Sequence, residues 1–266
     1  LDNFLFKILK GVPRSRIYRG IRKGEFRVNG GRVKATCRIS CGDRVRLPPI
    51  FPSIKTKPSA PESRQFALKI LDRIVFENDG MLIIDKPHGL AVHGGSGLSF
   101  GLIEALRHHR PESPYLELVH RLDRETSGLL VIAKSQKILK KLHEQFREHM
   151  VDKRYLALVE GRWPKSCQSI SAPIKKNISS SGERISIISQ FGKAAVTKFR
   201  IIRRLRGATL VEARPITGRT HQIRVHVQHA GHAIIGDQKY SLNTNSRDSS
   251  GMSQFRLFLH AHRIRF

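Results

Sequence analysis

Residues 120–133 read HRLDRETSGLLVIA, and this stretch decides both the fold and the chemistry that the chain can support. The apolar run at 129–133 predicts a short buried strand. Asp123 therefore lies on a turn that leads into a sheet, with Arg121 and Arg124 close by. A carboxylate in so basic a setting can meet a polyanion and act on it chemically. The structural alternative is an aspartate that forms a salt bridge within a loop.

Outward from this strand, the sequence predicts many short strands and few helices. A turn at Asp79-Gly80 separates two apolar runs, which is typical of a hairpin. The predicted strands include 74–76, 81–84, 155–159 and 209–213, and the predicted helices are 100–109 and 135–149. Because few helices separate the strands, we expect an α+β fold with a mixed, mainly antiparallel sheet.

The first 50 residues predict a small separate module. Apolar residues at helical spacing predict two helices, the second opened by Pro13 and ended by Gly24. Asn29-Gly30 between two short runs predicts a tight turn, and 43–47 alternates like another strand. The second helix concentrates cations: Arg14, Arg16, Arg19, Arg22 and Lys23. We expect these cations to bind phosphates; the alternative is a charged helix face that contacts only solvent.

A change in composition marks the end of this module. Residues 48–64 contain five prolines together with Ser and Lys, which predicts a semi-rigid linker. We assign residues 1–50 to the basic module, 51–65 to the linker and 66–266 to a larger domain.

The charge balance indicates a polyanionic partner. The chain has 49 Lys and Arg against 21 Asp and Glu, a formal net charge of +28. Such a field attracts phosphates, but it does not distinguish RNA from DNA or from an anionic membrane. No apolar run approaches the ~20 residues that span a bilayer, and three cysteines form no disulfide framework. We therefore expect a cytoplasmic protein without a membrane partner.

Four segments resemble the motifs of one enzyme family. HRLDRETSG at 120–128 resembles the active-site signature of pseudouridine synthases of the RluA family. KPHGLAVHGG at 86–95 resembles the first family motif, KRYLALVEG at 153–161 the tyrosine motif, and TGRTHQIRVH at 217–226 the third motif. Residues 1–30 resemble the small RNA-binding module named after the fourth small-subunit ribosomal protein.

This resemblance implies an activity, a substrate and a set of site residues. The fold would have a central catalytic cleft, and the reaction would isomerise uridine to pseudouridine in large-subunit (23S) ribosomal RNA, without cofactor or metal, in a monomer. Asp123 would be the nucleophile or base, Tyr155 would stack on the flipped base and assist proton loss, and Arg219 would hold Asp123. The remaining cleft residues would contact RNA: His120, Arg121, Thr126, His221, Ile223 and Arg224.

Two details of the site follow from the residue types. Asp123 has three possible roles, namely attack on the sugar, attack on the ring, and removal of a ribose proton. Thr217 is expected to cap a helix, which would place Arg219 near the positive helix end. An arginine paired with Asp123 would depress the pKa of the carboxyl group and keep it ionised.

Other interpretations remain open at this level. A cluster of histidines could suggest a metal site, although zinc sites usually add acid or thiol ligands at tighter spacing; they are His221, His226, His229 and His232. A non-catalytic RNA-binding factor would explain the basic module but not the convergence of Asp123, Tyr155 and Arg219. A metal-dependent nuclease needs clustered carboxylates, and these are scarce and scattered in the chain.

Overall fold

The computed structural model describes residues 1–9, 12, 14–48, 70–94, 101–178, 184–241 and 255–266. The chain divides into two compact units, residues 1–57 and residues 58–266. The predicted linker at 51–65 lies outside the described residues. Among the helices within these ranges, none has the length and apolar character needed to cross a membrane.

The described part of the first unit contains two short helices and a small sheet. Its elements are α1 (Asp2–Ile8), α2 (Arg14–Lys23), β1 (Arg27–Val28), β2 (Gly31–Arg32) and β3 (Val45–Arg46). β1 pairs antiparallel with both β2 and β3. Asn29 and Gly30 form the predicted tight turn, with φ of 50° and 80°. The buried core joins both helices to the sheet: Leu1, Leu5, Ile17, Ile21, Phe26 and Val28.

The second unit is built around one large sheet. The strands described in this unit are β4 (Ile74–Glu77), β5 (Met81–Lys86), β6 (Glu117–Leu118), β7 (Ser127–Ala133), β8 (Asp152–Glu160), β9 (Ser169–Ser171), β10 (Ile174–Ile178), β11 (Arg184–Ile188), β12 (Val196–Leu205), β13 (Ala208–Pro215) and β14 (Leu259–Arg265). The large sheet has the order β4-β5-β7-β14-β8-β13-β12-β9, with β6 beside β7, whereas β10 and β11 form a separate hairpin.

The strand pairing confirms the predicted fold class. Within the described strands, β7 and β14 pair in parallel and the other neighbours pair antiparallel. Gly128 is needed where β7 meets β14, because it has φ of +111° and an added Cβ would collide with the backbone of Ala261. This close approach brings the segment 120–128 against the last strand of the chain.

The described part of this unit also contains the helices α3 (Leu102–His109), α4 (Gln136–Arg147) and α5 (Gln222–His229). Leu106 of α3 packs in one cluster with Ile132 of β7. Leu142 of α4 packs in another cluster with Val131 of the same strand. Because adjacent residues of a strand point to opposite faces, β7 is covered on both sides, as its continuous apolar run predicted.

α5 lies on the same face of the sheet as α3. Val227 of α5 packs in a cluster with Ala157 of β8 and Val211 of β13. Tyr155 contacts both this cluster and the cluster beneath α3. Tyr155 therefore lies between the apolar cluster beneath α3 and the apolar cluster beneath α5, next to the turn that carries Asp123.

Candidate active site

Asp123 lies in the turn before β7, as the sequence predicted. The amide of Thr126 donates to the carbonyl oxygen of Asp123 over 3.1 Å, which closes the turn. Leu122 is buried in the core beneath it, whereas the side chain of Asp123 is 23% exposed. The carboxylate is therefore held at a fixed place while remaining accessible to a substrate.

Lys86 braces this turn from the end of β5. Its Nζ donates to the carbonyl oxygens of Pro87 (3.0 Å), Leu90 (2.9 Å) and Arg124 (3.0 Å). Burial lowers the pKa of Lys86 to about 8. Sequence reasoning did not name Lys86 as a site residue, although it opens the first motif. Its bond to Arg124 couples that motif to the turn of Asp123.

A cleft of about 270 Å³ lies beside Asp123. Three segments that are distant in sequence line it, 120–126, 153–155 and 215–224, together with single residues from elsewhere. Nine predicted residues lie in its wall: His120, Arg121, Asp123, Thr126, Tyr155, Arg219, His221, Ile223 and Arg224. The wall also contains residues that were not predicted as site residues: Leu122, Phe146, Lys153, Pro215, Thr217, Gly218, Thr220, Gln222 and Leu259.

Arg224 is the arginine that faces Asp123. Its Nη1 lies 3.9 Å from Oδ2 of Asp123, and only 3% of its side chain is exposed. Its Nε and Nη2 donate to the two carboxylate oxygens of Asp237, each over 2.7 Å. Asp237 has a fully buried side chain. This bidentate pair fixes the guanidinium plane, so Arg224 presents a positive charge to Asp123 in one orientation.

The prediction that Arg219 holds Asp123 is wrong. The Nε of Arg219 donates to the carbonyl oxygen of Ala194 over 3.0 Å. The physical reason is the start of α5, which begins only at Gln222. Arg219 consequently lies in the preceding loop and Arg224 lies in the first helical turn. Arg219 still lines the cleft, where it can meet a phosphate.

Thr217 does not cap α5, which corrects a second prediction. Its Oγ1 donates to Oε1 of Gln222 over 2.7 Å and accepts from the amide of Val196 over 3.1 Å. The N-cap position belongs to His221, which has φ of 55° and makes no side-chain cap. Thr217 instead ties the loop before α5 to the start of β12, and so fixes one rim of the cleft.

His221 is the second side chain that faces Asp123. Its Nε2 lies 3.9 Å from Oδ2 of Asp123, and its Nδ1 lies 2.7 Å from Oη of Tyr240. Tyr240 is buried, and its Oη accepts from the amide of Ser186 over 2.8 Å. Burial lowers the pKa of His221, so the ring is neutral at neutral pH. Sequence reasoning missed Tyr240, since no local pattern links it to His221.

Tyr155 lies on β8, half-buried in the wall of the cleft. Burial raises the pKa of its phenol well above the ordinary value, and the negative charge of Asp123 adds to this rise. The hydroxyl group therefore stays protonated at neutral pH. Tyr155 therefore offers the cleft an aromatic surface and a hydrogen-bond donor, whereas its phenolate form is strongly disfavoured.

His120 forms part of the cleft wall. Its ring stacks on Phe146, with centroids 5.2 Å apart, and its Nε2 accepts from the amide of Val131 over 3.1 Å. Burial lowers the pKa of His120 to about 4, so the ring is neutral. Lys153 lies with Nζ 5.5 Å from the Phe146 ring. Because Nε2 of His120 already accepts a hydrogen bond, the ring face and edge are what remain for a substrate.

The other predicted contact residues differ in exposure. Arg121 is exposed at the cleft, whereas Thr126 and Ile223 are 2% and 6% exposed. Ile223 also packs in the apolar cluster beneath α5. Arg121 is therefore the residue of this group that is placed to reach a phosphate.

Two of the clustered histidines, His226 and His232, are held by contacts within the fold. His226 is buried, with Nδ1 2.9 Å from Oγ1 of Thr197 and Nε2 3.1 Å from the carbonyl oxygen of Ala172. His232 lies with Nδ1 2.8 Å from the carbonyl oxygen of Glu160. Over the described ranges, no three His, Cys, Asp or Glu side chains come together as a metal-binding group.

The basic helix of the first unit carries mostly exposed charge. Four of its five predicted cations are exposed: Arg14, Arg19, Arg22 and Lys23. Arg16 is half-buried and pairs with Glu25 over 2.6 Å. Arg16 is thus partly neutralised within the fold, and the four exposed cations form the surface that we call the α2 cation surface.

Two family models match the chain. The model described as RNA pseudouridylate synthase matches residues 80–229, which include Asp123, Tyr155 and Arg224. The model described as S4 domain matches residues 1–45, which include the α2 cation surface.

Curated relatives match the chain over its whole length. The Ribosomal large subunit pseudouridine synthase C of Yersinia pestis is 51% identical over 266 residues, covering 100% of this chain and 83% of the relative. The proteins of the same name from Pasteurella multocida (strain Pm70) and Escherichia coli (strain K12) are 52% and 50% identical over 268 residues, covering 82% and 84% of the relatives and, in each case, 100% of this chain.

Solved structures show the same catalytic fold. Human RNA Pseudouridylate Synthase Domain Containing 4 matches with a TM-score of 0.63 at 26% identity, over 76% of this chain and 87% of that chain. Human RNA Pseudouridylate Synthase Domain Containing 1 matches with a TM-score of 0.61 at 28% identity, over 72% of this chain and 77% of that chain.

Proposed function

The chain belongs to the RNA pseudouridylate synthases of the RluA family, and we propose that it isomerises uridines of large-subunit ribosomal RNA to pseudouridine. The observation that carries this proposal is the 50–52% identity, over the entire chain, with the large-subunit pseudouridine synthases C of three organisms. The identity also extends over the S4 domain at residues 1–45, which lies outside the catalytic fold. Because the similarity is not confined to the catalytic residues, it supports the same RNA substrate.

The reaction suits the groups in the cleft. The bond from ribose to the ring nitrogen breaks, the sugar rejoins the ring at a carbon, and the proton of that carbon leaves as the nitrogen gains one. Neither electrons nor atoms enter from a second reactant. The substrate base must leave its stack, at a cost of roughly a few kcal/mol. A cleft with an ionised carboxylate, an aromatic surface and cations meets these needs.

Asp123 is the group that starts the reaction. Attack on the sugar, attack on the ring and removal of a ribose proton all require its ionised form. Arg224 and His221 each lie 3.9 Å from its Oδ2. The positive charge of Arg224 attracts the carboxylate and helps to hold it in place.

Tyr155 changes character as the reaction proceeds. Before reaction, the charge of Asp123 helps to raise the pKa of Tyr155. If Asp123 forms a bond to the sugar or the ring, its negative charge is lost and this contribution disappears. The pKa of Tyr155 then falls, which makes it easier for the hydroxyl to give its proton to the freed ring nitrogen, and the resulting phenolate can take the proton from the ring carbon. Stacking of the base on the ring is available throughout.

We propose that the remaining charges bind the RNA around the target uridine. Arg121 and Arg219 at the cleft would hold phosphates near the flipped base, and the α2 cation surface would hold a neighbouring part of the RNA. Since ribosomal RNA is made and assembled in the cytoplasm of bacteria, this substrate implies a cytoplasmic enzyme. We propose that it acts as a monomer.

The direct test uses unmodified large-subunit RNA transcribed in vitro and a metal chelator in the buffer. We expect pseudouridine at defined positions, detected by chemical derivatisation and primer extension, in strands of unchanged length and mass. Cleaved strands would indicate a nuclease, and intact strands without pseudouridine would indicate an RNA-binding factor. Either result would overturn the proposed function.

A further inference from the structure

A series of hydrogen bonds from outside the catalytic motifs ends at His221, the histidine that faces Asp123. It runs from the amide of Ser186 on β11 to Oη of Tyr240 (2.8 Å) and from there to Nδ1 of His221 (2.7 Å). The other ring nitrogen of His221 lies 3.9 Å from Oδ2 of Asp123. Neither Tyr240 nor Ser186 lines the cleft. These hydrogen bonds therefore support His221 from the protein interior and not from the substrate side.

We propose that Tyr240 is a positioning residue, which holds the ring of His221 in the tautomer whose Nε2–H faces Asp123. This inference rests on the proposed function, because Asp123 is the reacting carboxylate there. A neutral imidazole has one donor and one acceptor nitrogen. The hydroxyl of Tyr240 can donate to Nδ1 and so leaves the ring hydrogen on Nε2. His221 is then a donor to the carboxylate.

The geometry around His221 favours this tautomer. With the opposite tautomer, an imidazole lone pair would face the ionised Asp123, which repels it. The distance of 3.9 Å exceeds a formed hydrogen bond, and catalytic hydrogen bonds often shorten only when substrate is bound. The backbone of His221 is left-handed, with φ of 55°, and its side chain makes no cap bond but lines the cleft.

Arg224 and Tyr240 are also connected to each other, both directly and through Asp237. Its guanidinium carbon lies 5.0 Å from the ring centre of Tyr240, and the amide of Tyr240 donates to Oδ1 of Asp237 over 3.2 Å. The Asp237 carboxylate thus holds both Arg224 and the backbone of Tyr240. The two donors that face Asp123 therefore have a common support, and Tyr240 supplies the link to His221.

The charged groups around His221 set how the site responds to pH. Four groups face it, on α5, on the turn of Asp123 and on the segment after α5: Asp123, Arg224, Asp237 and Lys239. Burial outweighs them and lowers the pKa of His221, so the neutral ring is the relevant form at pH 7–8. Only a neutral ring needs a tautomer to be selected, because a protonated ring carries hydrogen on both nitrogens.

Tyr240→Phe tests the proposal through its pH profile. Without the hydroxyl, the neutral ring divides between two tautomers and the single-turnover rate should fall about five-fold, the effect of one hydrogen bond. This deficit should shrink as the pH is lowered and His221 becomes protonated, since protonation restores Nε2–H. A deficit that is the same at every pH would mean that Tyr240 only supports the fold, and it would overturn the proposal. Tyr115→Phe, outside the cleft, is the matched control.

A double substitution tests whether Tyr240 acts through His221. Gln places its amide nitrogen near the position of Nε2, whereas Asn places it near Nδ1, so His221→Gln should retain more activity than His221→Asn. Asn also tolerates the left-handed backbone well, so a loss of activity in His221→Asn cannot be assigned to backbone strain. In the His221→Gln background, Tyr240→Phe should have no further effect. A further five-fold loss there would contradict the proposed route.

Nuclear magnetic resonance on the wild-type protein reads the tautomer directly. In ¹⁵N-histidine-labelled protein at pH 8, we expect the His221 signal, assigned by its loss in His221→Gln, to show a protonated Nε2 and an unprotonated Nδ1. In Tyr240→Phe the two nitrogens should show averaged shifts. A protonated Nδ1 in the wild type would overturn the inference, and this result is independent of whether RNA is modified.

Discussion

The cations of the two units differ in how they are held. On the α2 cation surface, Arg14, Arg19, Arg22 and Lys23 project into solvent, whereas Arg224 in the cleft is 3% exposed and bonded twice to a buried carboxylate. Exposed charges attract phosphates from many directions and need no fixed geometry. A buried, paired cation cannot bind a mobile phosphate freely, but it can present one orientation to one reacting group. We propose that the first arrangement serves RNA affinity and that the second serves chemistry.

The largest effect is expected from breaking the buried pair. Arg224→Met should reduce the free energy of unfolding by roughly 3–5 kcal/mol, because it leaves Asp237 buried without its partner. It should also abolish turnover. Arg219→Met, in the same motif, should change stability by no more than about 0.5 kcal/mol. Denaturant titrations of both variants provide the measurement. Equal decreases in the free energy of unfolding for the two variants would contradict the proposed difference between Arg224 and Arg219.

Tyr155 allows the aromatic surface and the hydroxyl group to be separated. Tyr155→Phe keeps the stacking surface, so RNA affinity should stay within a few-fold while the rate of pseudouridine formation falls roughly 100-fold, as for loss of a proton-transfer group. Tyr155→Leu should impair both. Single-turnover rates and filter binding distinguish the two. If Tyr155→Phe turns over like the wild type, the hydroxyl has no catalytic role.

The α2 cation surface should affect binding alone. Replacing Arg14, Arg19, Arg22 and Lys23 with Gln should weaken RNA binding and flatten its salt dependence, by roughly 0.7–0.9 in the slope of log K against log salt for each phosphate that is no longer bound. The rate at saturating enzyme should persist. Arg16→Gln is a matched control with a smaller expected change in slope, since Arg16 already pairs with Glu25. An unchanged slope in the fourfold variant would mean that this helix face meets only solvent.

The smallest expected effect is the contribution of His120, in the cleft wall, to the pH dependence of stability. The folded-state pKa of His120 is lowered to about 4, so this residue stabilises the fold fully above its unfolded pKa and less as the pH falls toward 4. We expect a loss of about 1–2 kcal/mol between pH 7 and pH 5 that is absent in His120→Gln. Thermal unfolding of both proteins at the two pH values provides the test. Parallel losses would assign the pH dependence to other groups.

Features encoded by short segments were predictable from sequence. The Asn29-Gly30 turn, the apolar run of β7 and the position of Asp123 before it each depend on neighbouring residues and standard propensities. The convergence of three motifs in one cleft was predictable because they resemble a family in which they form one site. The cations of α2 were predictable as a surface, because charge spacing on a helix decides which side is polar.

Contacts between distant segments could not be predicted. Arg219 and Arg224 lie in one motif, and which of them faces Asp123 depends on where α5 begins and on the position of Asp237. The pairing of His221 with Tyr240 likewise depends on a turn that the sequence does not specify. A useful signal was present in Arg224 itself, since an arginine among buried helical residues requires a buried carboxylate partner.

The most direct test of the catalytic assignment replaces Asp123, the carboxylate that Arg224 and His221 both face. In Asp123→Asn the shape is kept and the charge is lost. With enzyme in excess over large-subunit RNA, we predict no pseudouridine above background, a decrease of roughly a thousand-fold or more, while RNA affinity and its salt slope stay within a few-fold of the wild type. Pseudouridine formation within ten-fold of the wild-type rate would contradict the assignment of chemistry to the cleft.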